Sequence, residues 1–141
     1  MTGALVLIGT LVLASALGLA LRARNGRIRA AAGSGLPEDV RRALAPAGVT
    51  LVQLSTTFCA PCRQARVLLS DLAARTDGLH HTELDLTDRP ELARELSVLR
   101  TPTTLAVDGQ GTELLRVGGV PRRDILLEAL RPHLGPSVGP T

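Results

Sequence analysis

The apolar positions of this 141-residue chain form one long block, then short segments whose spacing changes from stretch to stretch. Gly3 to Leu21 runs nineteen residues without a charge, with Thr10 and Ser15 its only hydroxyls. At about 1.5 Å per residue, a helix of that length nearly spans a bilayer core. Residues 1–21 are therefore expected to form an N-terminal transmembrane helix. A cleavable signal peptide is the rival reading, with Ala14-Ser15-Ala16 as a weak cleavage site, but Met1-Thr2-Gly3 lacks the basic residues that precede such a segment. Ala14 and Gly18 make a small-xxx-small pair, which is ordinary composition for a membrane helix.

Residues 22–35 are rich in Arg, Ala and Gly and are expected to be a linker. Pro37 to Leu44 reads as a short helix, and Ala45-Pro46-Ala47-Gly48 breaks it. Thr50 to Ser55 is strand-like, and from there Ala65, Leu68, Leu69, Leu72 and Ala73 recur at helical spacing. His80 to Leu86 is the next strand. Thr87-Asp88-Arg89-Pro90-Glu91 looks like a helix start, with Asp88 as N-cap, Glu91 three residues later and Pro90 in the first turn; Leu92 and Leu96 supply the inner face. Ile125, Leu126, Ala129, Leu130 and Leu134 give a closing helix one apolar stripe. Residues 36–134 are the size of one domain, residues 135–141 are expected to be a disordered tail, and no internal repeat is visible.

Composition changes this picture in three ways. Phe58 is the only aromatic residue and Met1 the only methionine, so the core must be aliphatic, and Phe58 is either core filling or, beside Cys59, part of a rim. His80 and His81 are adjacent and so point to opposite faces of a strand, which argues for solvated or edge positions rather than a shared role. All sixteen basic residues are arginine, and the net charge of +3 comes largely from Arg22, Arg24, Arg27 and Arg29 just after the apolar block. That placement implies no nucleic-acid partner. It suits a linker lying on anionic lipid, and by the positive-inside rule it puts the domain in the cytoplasm. An outward-facing domain is the alternative and would need electrons delivered across the membrane.

The candidate chemistry is in Phe58-Cys59-Ala60-Pro61-Cys62, the chain's only two cysteines, placed where a strand passes into a helix. Cys59 falls at the helix's amino end, where unpaired N–H groups and the positive end of the macrodipole favour thiolate, and Arg63 and Arg66 add positive charge. Thiolate is the form that attacks a disulfide, so Cys59 is the expected nucleophile. Cys62, one turn on and further from solvent, is the expected resolving thiol. Pro61 fits a first turn, where its missing N–H costs nothing. Half of a zinc site is a competing reading, but zinc needs about four ligands, and no second CxxC or HxxxH stands at ligand spacing among His80, His81, His133 and the acids. An inert structural disulfide is the other.

From about Leu36 to Leu134 the chain resembles a thioredoxin-family domain. After Phe-Cys-Ala-Pro-Cys comes the match to the family's cis-proline loop, Val98-Leu99-Arg100-Thr101-Pro102-Thr103, then a strand at Thr104 to Val107, a turn at Asp108 to Gly111, and Thr112 to Val117 before Gly118-Gly119. The resemblance implies an α/β thioredoxin-like fold, a central mixed sheet flanked by helices and preceded by the membrane helix; no segment matches the first strand of a full thioredoxin, so that edge of the sheet is expected to be either reduced or supplied by the linker. It implies a cis Thr101-Pro102 bond facing the cysteines and a substrate surface of Phe58, Ala60, Pro61, Thr101 and Pro102. It further implies a protein-disulfide oxidoreductase that uses the Cys59/Cys62 dithiol and no metal or organic cofactor. Its partners would be protein disulfide substrates, a thiol or electron-donor reductase, and membrane lipid through the N-terminal helix. Two alternatives stay open: an extracytoplasmic reductant for apocytochrome or envelope proteins, and a redox-silent scaffold. The chain departs from the family's usual Trp-Cys-Gly-Pro-Cys at Phe58 and Ala60. It also has Gln53 where a buried acid is common and Glu83 near the place of a lysine, from which slower resolution or a shifted potential is expected.

Overall fold

The computed structural model describes residues 1–30 and 35–135. In chain order its elements are α1 (Thr2–Arg24), β1 (Arg27–Ala30), α2 (Glu38–Arg42), β2 (Val49–Ser55), α3 (Ala60–Ala74), β3 (Leu79–Asp85), α4 (Pro90–Glu95), β4 (Thr103–Asp108), β5 (Glu113–Gly118) and α5 (Arg123–Leu130), closed by a 3-10 turn at Arg131–His133. The five strands make one mixed sheet in the order β1-β5-β4-β2-β3. β2 runs parallel to β3 and antiparallel to β4, and the β4-β5 and β5-β1 pairs are antiparallel.

Central β2 is buried along all seven residues, and its alternation divides the core in two. Val49 and Leu51 face α3 and α5, where they join Ala65, Leu69, Leu72, Leu126 and Leu130. Val52 and Leu54 face α2 and α4, with Val40, Leu92 and Leu96. The result is a helix-sheet-helix sandwich filled almost wholly by Leu, Val and Ala, as a chain with a single aromatic residue requires.

Helix α1 holds the apolar block, buries none of its residues in the domain, and is long and apolar enough to cross a membrane. It runs past Leu21 so that Arg22 and Arg24 fall in its last turn, where cations meet the negative end of the dipole.

Part of the stretch expected to be a linker, residues 22–35, supplies the missing edge of the sheet. After a turn at Asn25-Gly26, residues 27–30 join the sheet as edge strand β1, with Ile28 opposite Val117 and packed against the core. Arg27-Ile28-Arg29 is a half-buried strand pattern that its arginines disguise. Residues 31–34 and 136–141, where the remaining linker and tail were expected, lie outside the described residues. Two smaller differences follow from local chemistry. α4 begins at Pro90 with Arg89, not Asp88, as its N-cap, because Pro90 disfavours helical backbone in the residue before it; Arg89 instead pairs with Asp39. Ile125, expected on the inner stripe of α5, is exposed, while Leu126 and Leu130 carry the packing.

A fragment beginning at Asn25 keeps β1, whereas one beginning at Leu36 uncovers the β5 edge and removes Ile28. Partial burial of one such side chain is worth roughly 1–2 kcal/mol, so the shorter fragment should melt on the order of 5–10 °C lower in thermal denaturation followed by circular dichroism. Equal melting points would show that β1 does not stabilise the domain.

Candidate active site

β2 ends at Ser55, and Thr56-Thr57-Phe58 carries the chain up to Cys59, the N-cap of α3. An N-cap side chain accepts a hydrogen bond from the N–H two or three residues on; here the sulfur does so, Cys59 Sγ receiving the Cys62 N–H at 3.2 Å. Pro61 lies inside the first turn, so the orphan donors there are one fewer. Cys59 and Cys62 are joined in a disulfide, with Cα atoms 5.2 Å apart. Of the two, Cys59 keeps 8% of its surface exposed and Cys62 only 1%. Phe58 is 98% exposed, which places it on the rim and not in the core. Ala60 and Pro61 are also at the surface.

The Thr101-Pro102 bond is cis, as the resemblance implied. The Thr101 hydroxyl lies 3.4 Å from that of Thr56, tying this loop to the segment that leads into Cys59. Behind it, the buried Pro102 carbonyl accepts the Gly119 N–H at 2.7 Å, and the Thr103 hydroxyl donates to the Arg100 carbonyl at 2.7 Å. The backbone of Thr101 itself has no loop or turn hydrogen bond among the described residues.

Beneath the cysteines is a chain of polar contacts only partly legible in the sequence. Gln53 is fully buried. Its amide N–H donates to the Cys62 carbonyl at 2.8 Å, and its amide oxygen is 3.1 Å from His81 Nε2. His81 Nδ1 in turn lies 3.0 Å from the Ser70 hydroxyl. A neutral imidazole protonated on Nε2 satisfies every member of this chain, with Ser70 donating to Nδ1. Burial pushes the His81 pKa down, Glu83 opposes the shift and Arg66 adds to it. His81 was expected at a solvated or edge position. It does lie on an edge strand, but β3's parallel register places it opposite Leu51 and beside Gln53, so it is half-buried and bonded. The signal that could have found it is the odd-numbered face of β3, led by Leu79; the apolar Leu84 and Leu86 point to the other phase and mask it.

Arg66 corrects another expectation. Its guanidinium forks onto Glu83 at 2.5 and 2.8 Å, which holds the Glu83 carboxyl below its ordinary range with help from the Ser55 hydroxyl. Arg66 is thus neutralised by a carboxylate and does not serve Cys59. Arg63 has no such partner among the described residues.

Over 88 residues the chain is 33% identical to a thioredoxin of Staphylococcus saprophyticus, covering 62% of this chain and 84% of that protein. A thioredoxin of Staphylococcus aureus is 34% identical over 89 residues, with the same coverage. This chain belongs to the thioredoxin family. A single-substitution mutant thioredoxin of Halobacterium salinarum shares the fold at a TM-score of 0.60, with 20% identity over 71% of this chain and 88% of that one. A Fasciola hepatica thioredoxin does so at 0.53, with 24% identity over 62% and 82%. No protein-family model matches the chain. Like other thioredoxins, the protein is a thiol-disulfide oxidoreductase, and the cysteine pair lies at the family's active-site position.

Because His81 is driven toward its neutral form by folding, its pKa in the native state is below the unfolded value of about 6.5. Between those two values the unfolded chain binds more protons, so this contribution to stability is complete above pH 6.5 and is lost as pH falls through the native pKa. Glu83, also depressed, acts in the same direction only at lower pH. Denaturant unfolding from pH 7.5 to 5 should show stability declining with acid, and His81→Gln should flatten that slope. An unchanged slope in the variant would remove His81 as the cause.

Proposed function

We propose that the protein is a membrane-tethered reductase of protein disulfides, with Cys59 as nucleophile and Cys62 as resolving thiol. The observation that carries this reading is the position of Cys59 as N-cap of α3, its sulfur on the Cys62 N–H, because the same amides and dipole stabilise a thiolate there once the pair is reduced. Cys59 thiolate attacks one sulfur of a substrate disulfide, and the other sulfur leaves as a thiolate and takes a proton. Cys62 then attacks Cys59, closing the Cys59-Cys62 bond and releasing the second substrate thiol. Two electrons pass to the substrate, and a thiol or electron-donor reductase restores the dithiol.

Phe58, Ala60, Pro61, Thr101 and Pro102 form the surface that receives the substrate in this reading. The unpaired backbone of Thr101 supports pairing with an extended peptide. Exposed Phe58 supplies apolar contact area. α1 is the anchor, and the four arginines that follow the apolar block favour a cytoplasmic domain.

Insulin-disulfide reduction by the Asn25 fragment should fall to the uncatalysed background in Cys59→Ser. Cys62→Ser should instead accumulate a mixed disulfide with its client, and its Cys59 should be alkylated with a midpoint below the ordinary thiol value of about 8.5. Retained activity in Cys59→Ser, or ordinary titration of Cys59, would defeat the assignment.

Orientation is checked with reporters fused after Leu134. A cytoplasmic domain predicts an active reporter that needs no export, whereas activity only of an export-dependent reporter places the domain outside.

A further inference from the structure

We propose that the groove between the end of α1 and the β1 edge of the sheet is a site for the headgroup of an anionic phospholipid. The inference rests on the reading of α1 as a membrane anchor. The groove encloses about 360 Å³ and is lined by Arg24, Arg27, Arg29, Arg100 and Arg116. Among the described residues only Arg116 of these five has a carboxylate partner, Glu113 at 2.8 Å. Arg100 directs its donors to the carbonyls of Arg24 and Gly118 and to Asn25, groups that carry no net charge.

The antiparallel register sets Arg29 directly opposite Arg116. Arg116 is committed to Glu113 through two donors and to the Leu96 carbonyl through a third, so the charge open to a ligand is that of Arg24, Arg27 and Arg29, and guanidinium forks match phosphate oxygens in bidentate fashion. Nothing in the redox chemistry of Cys59 and Cys62 calls for this concentration of positive charge.

The position of the groove selects a lipid as the source of that phosphate. Leu21, the last residue of the uncharged block, and Leu99, 94% exposed, also line it. Arg24 lies about 5 Å beyond Leu21 along the helix axis, within the headgroup layer that adds roughly 5–7 Å to each side of the hydrocarbon core. Acyl chains beside Leu21 and a phosphodiester among the arginines fit this arrangement. A zwitterionic headgroup would bring a quaternary ammonium into the same cluster.

The test uses the full chain in neutral maltoside micelles, with native mass spectrometry counting retained phosphatidylglycerol or phosphatidylcholine. One phosphatidylglycerol per chain should be retained in preference to phosphatidylcholine. Each basic residue near an anionic surface gives roughly a five-fold gain, so Arg27→Gln with Arg29→Gln should lower retention about 25-fold. Arg24→Gln, outside the sheet, should lower it about five-fold. Arg122→Gln with Arg123→Gln at the start of α5 should leave it unchanged. All these variants should keep insulin reduction, which reports a folded domain. Equal retention of the two lipids, or indifference to the Arg27/Arg29 pair, overturns the site. Displacement of the lipid by millimolar inorganic phosphate overturns the lipid assignment. Carbonate extraction of membranes is read separately: release of the wild-type chain would defeat the anchor, whereas loss of lipid selectivity in a chain that stays embedded defeats only the groove.

Discussion

Both backbone polar groups of Cys62 are held, its N–H by Cys59 Sγ and its carbonyl by the Gln53 side chain. These two hydrogen bonds lock the first turn of α3 to the most buried strand of the sheet. A slip of one residue in β2 would turn Gln53 to the α2/α4 face and exchange the two halves of the core, so the register that buries Leu51 and Leu54 is also the register that places the cysteines. Only Thr56-Thr57-Phe58 separates that strand from the cysteine pair. It is an extension of the core, and that rigidity holds two sulfurs within bonding range while leaving only one of them near solvent.

Arg100 joins this site to α1. It immediately precedes Thr101-Pro102, and its guanidinium binds the Arg24 carbonyl at the end of α1 at 2.8 Å. The fit around it is close: Gly119 adopts a positive φ of 86°, and a Cβ there would fall 2.1 Å from Asn25 Oδ1. The positive φ is the conformation that favours glycine there. With β1 hydrogen-bonded into the sheet from Arg27, the helix end and the cis-proline loop share one side chain. These contacts fix which side of the domain lies nearest α1, a degree of order that a flexible linker would not supply.

The elements that could be read from the chain were those whose pattern matches their burial. β2 and α3 are legible because their apolar residues face packed layers, and Cys59 was legible because a strand running directly into a helix leaves a cysteine at an N-terminus by arithmetic alone. β1 was hidden because two of its four residues are arginines flanking Ile28, and its partner strand lies some ninety residues away. The Ser70-His81-Gln53 chain was hidden for a different reason. Cross-strand neighbours in a parallel pair are set by the crossover helix between them, and on β3 Leu84 and Leu86 mark the opposite face while only Leu79 marks the face of His81.

That polar inner face bears on how the site handles protons. A carboxylate at position 53 would be a buried anion beneath a sulfur that must itself become anionic, and it would raise the cost of that charge unless it took the proton. The amide of Gln53 removes both the repulsion and the base. Glu83, its register partner on β3, is anionic but turned onto Arg66 and Ser55, so its charge is already balanced. His81 is then the titratable group joined by hydrogen bonds to the Cys62 segment, and it is held neutral by burial. The arrangement places no buried acid against Cys62, and it leaves the helix amides at Cys59 as the source of electrostatic bias at the cysteine pair.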